Sequence, residues 1–263
     1  MEIKFKGYKY KDNSLDFTIK EKEVNGICGK NYENLINIIK LKNSYKGKII
    51  INDIELNKDN INTFKNKINV VKEEIEDSIY IQTVYDLLKY EIERRKLSIK
   101  NPEKKIYDSL KIVNLDKTLL ERNIYTLSSS EKKFIQLAIS LLSNPDMIIL
   151  IEPFKFLDMK NEKRIMILLN KIREQYKKTI VIVTNNTNII FKYTTHTIIF
   201  KVDKILVEGD TKDIFQRVDF LSRNKINIPE IVEFTYLAKK KKNVSIDYHS
   251  DIRDIIKDIY KHV

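Results

Sequence analysis

The stretch LSSSEKKFIQLAISLLSNPDMIILIEPFKFLD (residues 127–158) places a helical pattern directly before a wholly apolar run. Its serines are available to cap a helix, and Glu131 falls in or near the first turn, where the helix dipole favours a negative charge. The spacing of apolar residues predicts a helix over 128–144. The run at 146–153 predicts a buried strand.

Apolar strands and helices continue to alternate after this stretch. The pattern predicts a helix over 160–176, an apolar strand over 179–185 and a strand hairpin over 196–209. Fully apolar strands that alternate with helices are typical of a parallel sheet covered on both faces.

The residues before this stretch begin with single apolar and polar side chains in alternation. The predicted elements are an antiparallel strand pair over 3–19 with a KDNS turn at 11–14, a short buried strand over 24–29 that ends in a glycine turn, a helix over 34–41, a strand over 47–53 that closes a first α/β unit, and a helical region over about 79–143. After Phe215 the chain becomes helical, polar and basic.

Composition bounds the class of protein. Of the 263 residues, 42% are hydrophobic and 33% are charged, as in an ordinary soluble globular protein. No apolar run approaches the roughly 20 residues of a membrane span, and the N-terminus has no apolar signal core, so we expect the cytoplasm. The one cysteine, Cys28, predicts neither an intrachain disulfide nor a metal cluster.

The net charge of +12 has three explanations: a nucleic-acid partner, an anionic membrane surface, or a compositional habit of the source genome. The basic residues are spread along the chain, with KKKK at 239–242 as the densest cluster. Because the basic residues are spread out, we favour the third explanation, a compositional habit of the source genome.

Residues 127–158 resemble the signature block of the ATP-binding cassette (ABC) ATPases, and the match runs through 32 residues at family spacing without a gap. In that family an LSGGQ signature opens a helix that leads to a strand ending in Asp-Glu-Pro. The matching residues are Leu127, Ser128, Ser129, Ser130 and Glu131 for the signature, Asn144-Pro145 for the connector, Ile151-Glu152-Pro153 for Asp-Glu-Pro, and Leu157-Asp158 for the D-loop.

The resemblance covers essentially the whole chain. The matching segments are Tyr10 at the adenine-stacking position, NGICGKN (25–31) at the phosphate-binding loop, TIVIVTNN (179–186) at the strand that leads to the switch histidine, and VEGDTKDIF (207–215) at the close of the domain. Residues 220–240 and 248–259 are similar to the C-terminal extension of energy-coupling-factor (ECF) ATPases. The resemblance implies an α/β, P-loop NTPase-like nucleotide-binding domain over 1–215, with a helical subdomain at about 79–143, and a helical extension over 216–263.

The phosphate-binding loop departs from the family pattern G-x-x-x-x-G-K-[ST]. Its place is taken by Gly26, Gly29, Lys30 and Asn31. No Gly-Lys-Ser/Thr follows Gly29, and the loop is about three residues shorter than the family pattern. We expect Tyr32 and Glu33 to stand where glycines supply positive-φ turns, at roughly 1–2 kcal/mol each. Lys30 lies at the wrong end of the loop to replace the P-loop lysine.

Other positions of the family's site are also altered. Ile151 replaces the Asp that holds Mg²⁺, Glu73 stands at the Q-loop glutamine, Asn185 stands at the switch histidine, and Ser129, Ser130 and Glu131 replace Gly-Gly-Gln. Glu152, at the position of the catalytic base, is retained, but without a metal it is expected to be vestigial. The family would use ATP and Mg²⁺; the sequence indicates no cofactor of its own and no metal site.

The favoured hypothesis is a subunit without intrinsic ATPase activity in an ECF-type transporter for a micronutrient or metal. The resemblance implies a competent ABC ATPase as partner, a membrane coupling subunit that docks around residues 73–95, and indirect contact with a substrate-binding membrane subunit, all at the cytoplasmic face. Ser128 and Asp158 either serve the partner's site or merely cap and shape their own segments.

Two alternatives stay open. One is a slow, noncanonical ATPase that uses Lys30 and Glu152. The other is a basic nucleic-acid-binding derivative of the fold, which is least favoured because no recognised nucleic-acid motif is present.

Overall fold

The computed structural model describes residues 1–42, 46–72, 81–242 and 257. The strands are β1 Ile3–Tyr10, β2 Asn13–Ile19, β3 Val24–Gly29, β4 Lys48–Ile51, β5 Ile54–Glu55, β6 Ile68–Val71, β7 Met147–Ile151, β8 Thr179–Val183, β9 His196–Lys201 and β10 Lys204–Asp210. The helices are α1 Tyr32–Ile39, α2 Ile61–Lys65, α3 Val84–Arg94, α4 Pro102–Ile112, α5 Ser129–Leu142, α6 Met159–Gln175, α7 Thr187–Tyr193, α8 Thr211–Phe215, α9 Val218–Arg223 and α10 Glu230–Lys242.

The larger sheet has the strand order β10-β9-β3-β8-β7-β6. Its neighbours from β9 to β6 pair in parallel, and β10 closes one edge antiparallel to β9. Both faces are buried, since Ile149 and Val181 lie in one apolar cluster while Ile148 and Ile180 lie in the other. The predicted parallel sheet covered on both faces is therefore confirmed.

The smaller sheet is antiparallel, with the order β2-β1-β4-β5. The predicted N-terminal strand pair is confirmed, but its turn is shorter than KDNS, because both strands extend and leave Lys11 and Asp12 between them. Between the two sheets lies one apolar cluster, to which β1, β2, β4 and α1 contribute.

The prediction that β4 closes an α/β unit was wrong. β4 pairs antiparallel with β1, with Ile51 opposite Ile3 and Ile49 opposite Phe5. Ile49 and Ile51 are buried while Lys48 is exposed, which is the alternation of a sheet with one face on the core.

Helices cover the other face of the parallel sheet. The predicted helices of the 79–143 region are present as α3, α4 and α5, and the predicted helix after β7 is α6. The short elements β5, β6, α2, α7 and α8 were not predicted. The apolar cluster on this face includes residues of α3, α5 and α6.

The part of the predicted C-terminal extension that the structure describes is helical. α9 and α10 contribute Val218, Leu221 and Val232 to the large apolar cluster. The domain boundary at 215/216 stays a prediction, and the segment 248–259 lies outside the described residues.

Candidate nucleotide site

The connection between β3 and α1 consists of Lys30 and Asn31, because β3 ends at Gly29 and α1 begins at Tyr32. Gly29 has φ +116, and a Cβ on it would lie 2.0 Å from the carbonyl oxygen of Phe200, so no larger residue fits there. Asn31 takes the left-handed conformation (φ 62, ψ 33), which asparagine tolerates.

The predicted strain at Tyr32 and Glu33 was therefore wrong. Both residues lie in the first turn of α1, and the left-handed positions fall at Gly29 and Asn31. The loop is shorter than the family pattern, and its positive-φ positions fall on a glycine and an asparagine, which tolerate that conformation.

Three strand ends meet beside this turn and are linked by hydrogen bonds. The Gly29 N–H donates to Asn185 Oδ1 at 2.9 Å, and the Asn185 N–H donates to Glu152 Oε1 at 3.3 Å. The Thr184 hydroxyl donates to Glu152 Oε2 at 2.7 Å. The structure thus brings together Gly29, Glu152 and Asn185, three of the residues that the sequence analysis singled out.

Glu152 is held in a strained backbone conformation. Its φ is +46, which is uncommon for a residue other than glycine. Its N–H donates to the Val183 carbonyl at 2.8 Å, and the buried Lys133 of α5 donates to its carbonyl oxygen at 3.4 Å. The sequence analysis did not single out Thr184 or Lys133. Thr184 could have been identified from its position directly after β8.

The N-terminus of α5 is closed by its own side chains. Ser128 is the N-cap: its Oγ accepts from the Glu131 N–H at 3.3 Å, and its N–H donates to Glu131 Oε2 at 2.8 Å. The Ser128 hydroxyl lies 3.2 Å from that of Ser130. Arg122 pairs with the other oxygen of Glu131. A carboxylate therefore occupies the end of the helix that would otherwise face an anion.

The pKa of Glu131 reflects these contacts. Burial alone would raise this pKa, but hydrogen bonds from the Ser128 amide and hydroxyl, together with Arg122, lower it below its ordinary value. Glu131 is therefore ionised at neutral pH. Leu127 is buried, and Ser129 begins the helix.

Other predicted residues have evident structural roles. Gly26 lies inside β3, where a Cβ would come within 2.9 Å of the Thr194 hydroxyl, so this glycine allows α7 to pack closely. Asp158 caps α6 and accepts from the Asn161 N–H at 2.7 Å. Tyr10 ends β1 and packs beside the cluster between the sheets. Glu73 lies outside the described residues.

No group of three or more potential metal ligands occurs among the described residues. Cys28 is buried in β3, and burial raises the pKa of its thiol to about 12. The thiol is therefore protonated at neutral pH.

The model of the ABC transporter family matches residues 13–155 of this chain, and the chain belongs to that family. Its relatives include the energy-coupling factor transporter ATP-binding protein EcfA2 of Caldanaerobacter subterraneus subsp. tengcongensis, at 24% identity over 92% of this chain and 85% of that protein. The EcfA2 of Streptococcus thermophilus is 28% identical over 79% of this chain and 74% of that protein. The predicted resemblance to the ECF type is thus confirmed.

Solved structures agree on the fold. The cbiO1 of Clostridium perfringens, part of the ABC transporter complex cbiONQ, has a TM-score of 0.72 at 21% identity and covers 89% of this chain and 98% of its own. The dimeric cassette MJ0796 bound to ADP and Pi has a TM-score of 0.63 at 23% identity, over 80% of this chain and 98% of its own. Across the described residues, no helix has the length and hydropathy to span a bilayer.

Family membership implies the chemistry of ATP and Mg²⁺, and the residues around the β3–α1 turn do not fit that pair. A phosphate-binding loop curls several N–H groups around a phosphate, but here the Gly29 N–H is bound by Asn185. Glu33 adds a negative charge to the first turn of α1, and Lys30 is exposed at the surface. At the end of β7, Ile151 offers no ligand for a metal ion.

Proposed function

We propose that this chain is a catalytically silent ATPase-like subunit of an ECF-type transporter, which pairs with a competent ABC ATPase. The observation that carries the proposal is the bond from the Gly29 N–H to Asn185 Oδ1, at the turn where the family binds phosphate. Because the β3–α1 connection has two residues, it offers too few N–H groups to enclose a phosphate.

Two further features support the absence of ATP hydrolysis. Both oxygens of Glu152 accept hydrogen bonds, from Thr184 and from the Asn185 N–H, so neighbouring groups of this chain already occupy the carboxylate. The N-terminus of α5 already carries the Glu131 carboxylate, which would repel a phosphate presented by a partner. We infer that the signature segment of this chain is vestigial.

In the proposed complex the chain lies at the cytoplasmic face of the membrane and acts as a rigid body. The competent ATPase would supply the motion, and the surface around residues 73–95 would transmit it to the membrane coupling subunit. The relatives' descriptions as energy-coupling factor transporter proteins support this assignment. The transported substrate would be chosen by a separate membrane subunit.

Calorimetric titration of the isolated chain with Mg-ATP tests the proposal. We expect no saturable heat, because the Gly29 N–H is already bound and Ile151 cannot hold the metal. Binding at about 1 µM, which corresponds to about −8 kcal/mol, would contradict the proposal.

The variants Lys30→Ala and Glu152→Gln are the matched controls for this titration. If Mg-ATP binds and Lys30→Ala abolishes the binding, the slow ATPase becomes the better hypothesis.

Co-purification from the native cell identifies the partner. Recovery of an intact ABC ATPase supports the heterodimer, and its absence from the purified complex contradicts the heterodimer.

A further inference from the structure

A histidine lies buried where the two sheets meet, away from the candidate nucleotide site. His196 begins β9, and its side chain is 1% exposed. Its Nδ1 lies 3.2 Å from Oδ1 of Asn25 in β3, and its Nε2 lies 3.2 Å from Oε1 of Glu208 in β10. Both ring nitrogens therefore face an oxygen atom.

The amide of Asn25 is fixed in one orientation. Its Nδ2 donates to the carbonyl oxygens of Lys20 at 2.8 Å and Ile180 at 3.3 Å, and its Oδ1 accepts from the Lys20 N–H at 2.9 Å. A flipped amide would place oxygen against two carbonyls and nitrogen against an N–H group. The atom that faces His196 Nδ1 is therefore an acceptor, so Nδ1 must carry a proton to bond with it.

The other ring nitrogen faces a carboxylate. Glu208 Oε1 also accepts from the Thr18 N–H of β2 at 2.9 Å, so this oxygen acts as an acceptor on both sides. A neutral imidazole carries one proton, and either neutral tautomer would leave a bare ring nitrogen against an acceptor. Only the ring with both protons satisfies Asn25 and Glu208 together.

The net effect of charge also depends on the surroundings of the ring. Burial disfavours a charged imidazole, whereas an adjacent carboxylate favours it. Glu208 is 24% exposed, so its carboxylate keeps part of its hydration. An acceptor left against an acceptor inside the protein costs about 1–3 kcal/mol, since neither group can turn to water.

The other charged groups nearby have partners of their own. Asp210, which lies opposite His196 in the strand register, caps α8. β3 carries no charged side chain. Among the described residues, Glu208 is the one carboxylate within salt-bridge distance of the ring. The charged residues of the β2–β3 connection pair with one another, Lys20 with Glu23 and Lys22 with Glu21.

We propose that His196 is a buried imidazolium that holds the two sheets together through Asn25, Glu208 and Thr18, and that this link depends on its second ring proton. We name these four residues the histidine bridge. When the proton leaves, Nε2 and the Glu208 carboxylate repel each other, and Glu208 can turn to solvent and release the Thr18 N–H of the smaller sheet. The inference is independent of the proposed function, because the bridge uses no residue of the candidate nucleotide site.

Nitrogen-15 NMR of the chain labelled at histidine tests the protonation directly. The chain has three histidines, and the His196→Gln variant assigns the His196 signals by their loss. At pH 7 we expect both ring nitrogens of His196 to show the pattern of a protonated nitrogen. A neutral ring, with one protonated and one bare nitrogen, would overturn the proposal wherever the other proton resides.

The Glu208→Gln variant tests the partner. A glutamine can donate an amide N–H to a bare Nε2 while its oxygen still accepts from Thr18, so we expect a neutral His196 with the proton on Nδ1. The matched control, Glu23→Gln, removes the same charge from a carboxylate that accepts from the neighbouring Thr195 hydroxyl at 3.1 Å, and should leave the imidazolium pattern unchanged. Circular dichroism checks that both variants are folded. An imidazolium that persists in Glu208→Gln, or is lost equally in Glu23→Gln, would contradict the bridge.

The pH dependence of stability tests the link between the sheets. A proton held more firmly in the folded than in the unfolded chain stabilises the fold, and this stabilisation is lost as the pH rises. Between pH 7 and pH 10 the urea midpoint of the unmodified chain should therefore fall further than that of Glu208→Gln. Equal falls in the two proteins would show that the second ring proton does not hold the sheets together.

Discussion

At the scale of single residues, Asn185 ties together the strand ends of the candidate site. Its amide oxygen accepts the Gly29 N–H at 2.9 Å, and its own N–H reaches Glu152. The side chain thus satisfies a backbone donor at the end of β3 and ties β3 to β8. Under the proposed function, these internal hydrogen bonds take the place of ligand contacts.

Asn185→Ala should lower the free energy of unfolding by about 1 kcal/mol, because it leaves the Gly29 N–H without its protein acceptor. Urea denaturation followed by circular dichroism measures the change. Asn62→Ala, at an exposed position in α2, is the matched control and should stay within about 0.5 kcal/mol of the unmodified chain. Equal stabilities of the two variants would show that the Gly29–Asn185 bond contributes nothing.

At the scale of elements, α5 links the signature segment to the candidate site. Its N-terminus is closed by Ser128 and Glu131, and Lys133 in its second turn reaches the carbonyl oxygen of Glu152. The same capping that stabilises the helix places the Glu131 carboxylate at the position of the glutamine in the family's signature.

Glu131→Gln should lower the stability by about 0.5–1 kcal/mol at pH 7, because the variant loses the charge that favours the helix N-terminus and Arg122. The folded-state pKa of Glu131 lies below its ordinary 4.5, so its stabilisation is present above that value. As the pH falls through the folded-state pKa, the difference between the two proteins should vanish.

Thermal denaturation between pH 7 and pH 3 measures this difference. Glu93→Gln, at an exposed position of α3, is the control, and its effect should be small at every pH. A stability gap for Glu131→Gln that does not narrow at all as the pH falls below 4.5 would show that the ionised carboxylate is not the source.

Sequence patterns predicted the strands whose two faces are both buried. They did not predict strand pairing between residues that lie far apart in the chain. β7 and β8 are continuous apolar runs, and such runs indicate parallel strands. The partner of β4 is β1, about 45 residues earlier in the chain, and no local pattern contains that pairing. At the site, the family pattern singled out Gly29, Glu152 and Asn185, and their functional roles stay predictions. The φ of Glu152 and the acceptor of the Gly29 N–H follow from packing and could not be predicted.

At the scale of the whole molecule, one apolar cluster joins the helices of the 79–143 region, the parallel sheet and the described C-terminal helices. Leu221 is fully buried in this cluster, and Val232 of α10 is buried with it. The predicted extension therefore shares its packing with the preceding residues, and we expect both to unfold together.

Leu221→Ala should destabilise the entire chain by about 2–5 kcal/mol, since a buried leucine loses its contacts and leaves a cavity. The chain has 14 tyrosines and no tryptophan, so tyrosine fluorescence and far-UV circular dichroism can follow urea denaturation in parallel. The two signals should coincide in one transition. Leu237→Ala, at a position of α10 that is 38% exposed, is the matched control and should cost about 1 kcal/mol or less. If Leu221→Ala instead produces a separate early transition while the remaining signal keeps its original midpoint, the segment after Phe215 folds as an independent unit.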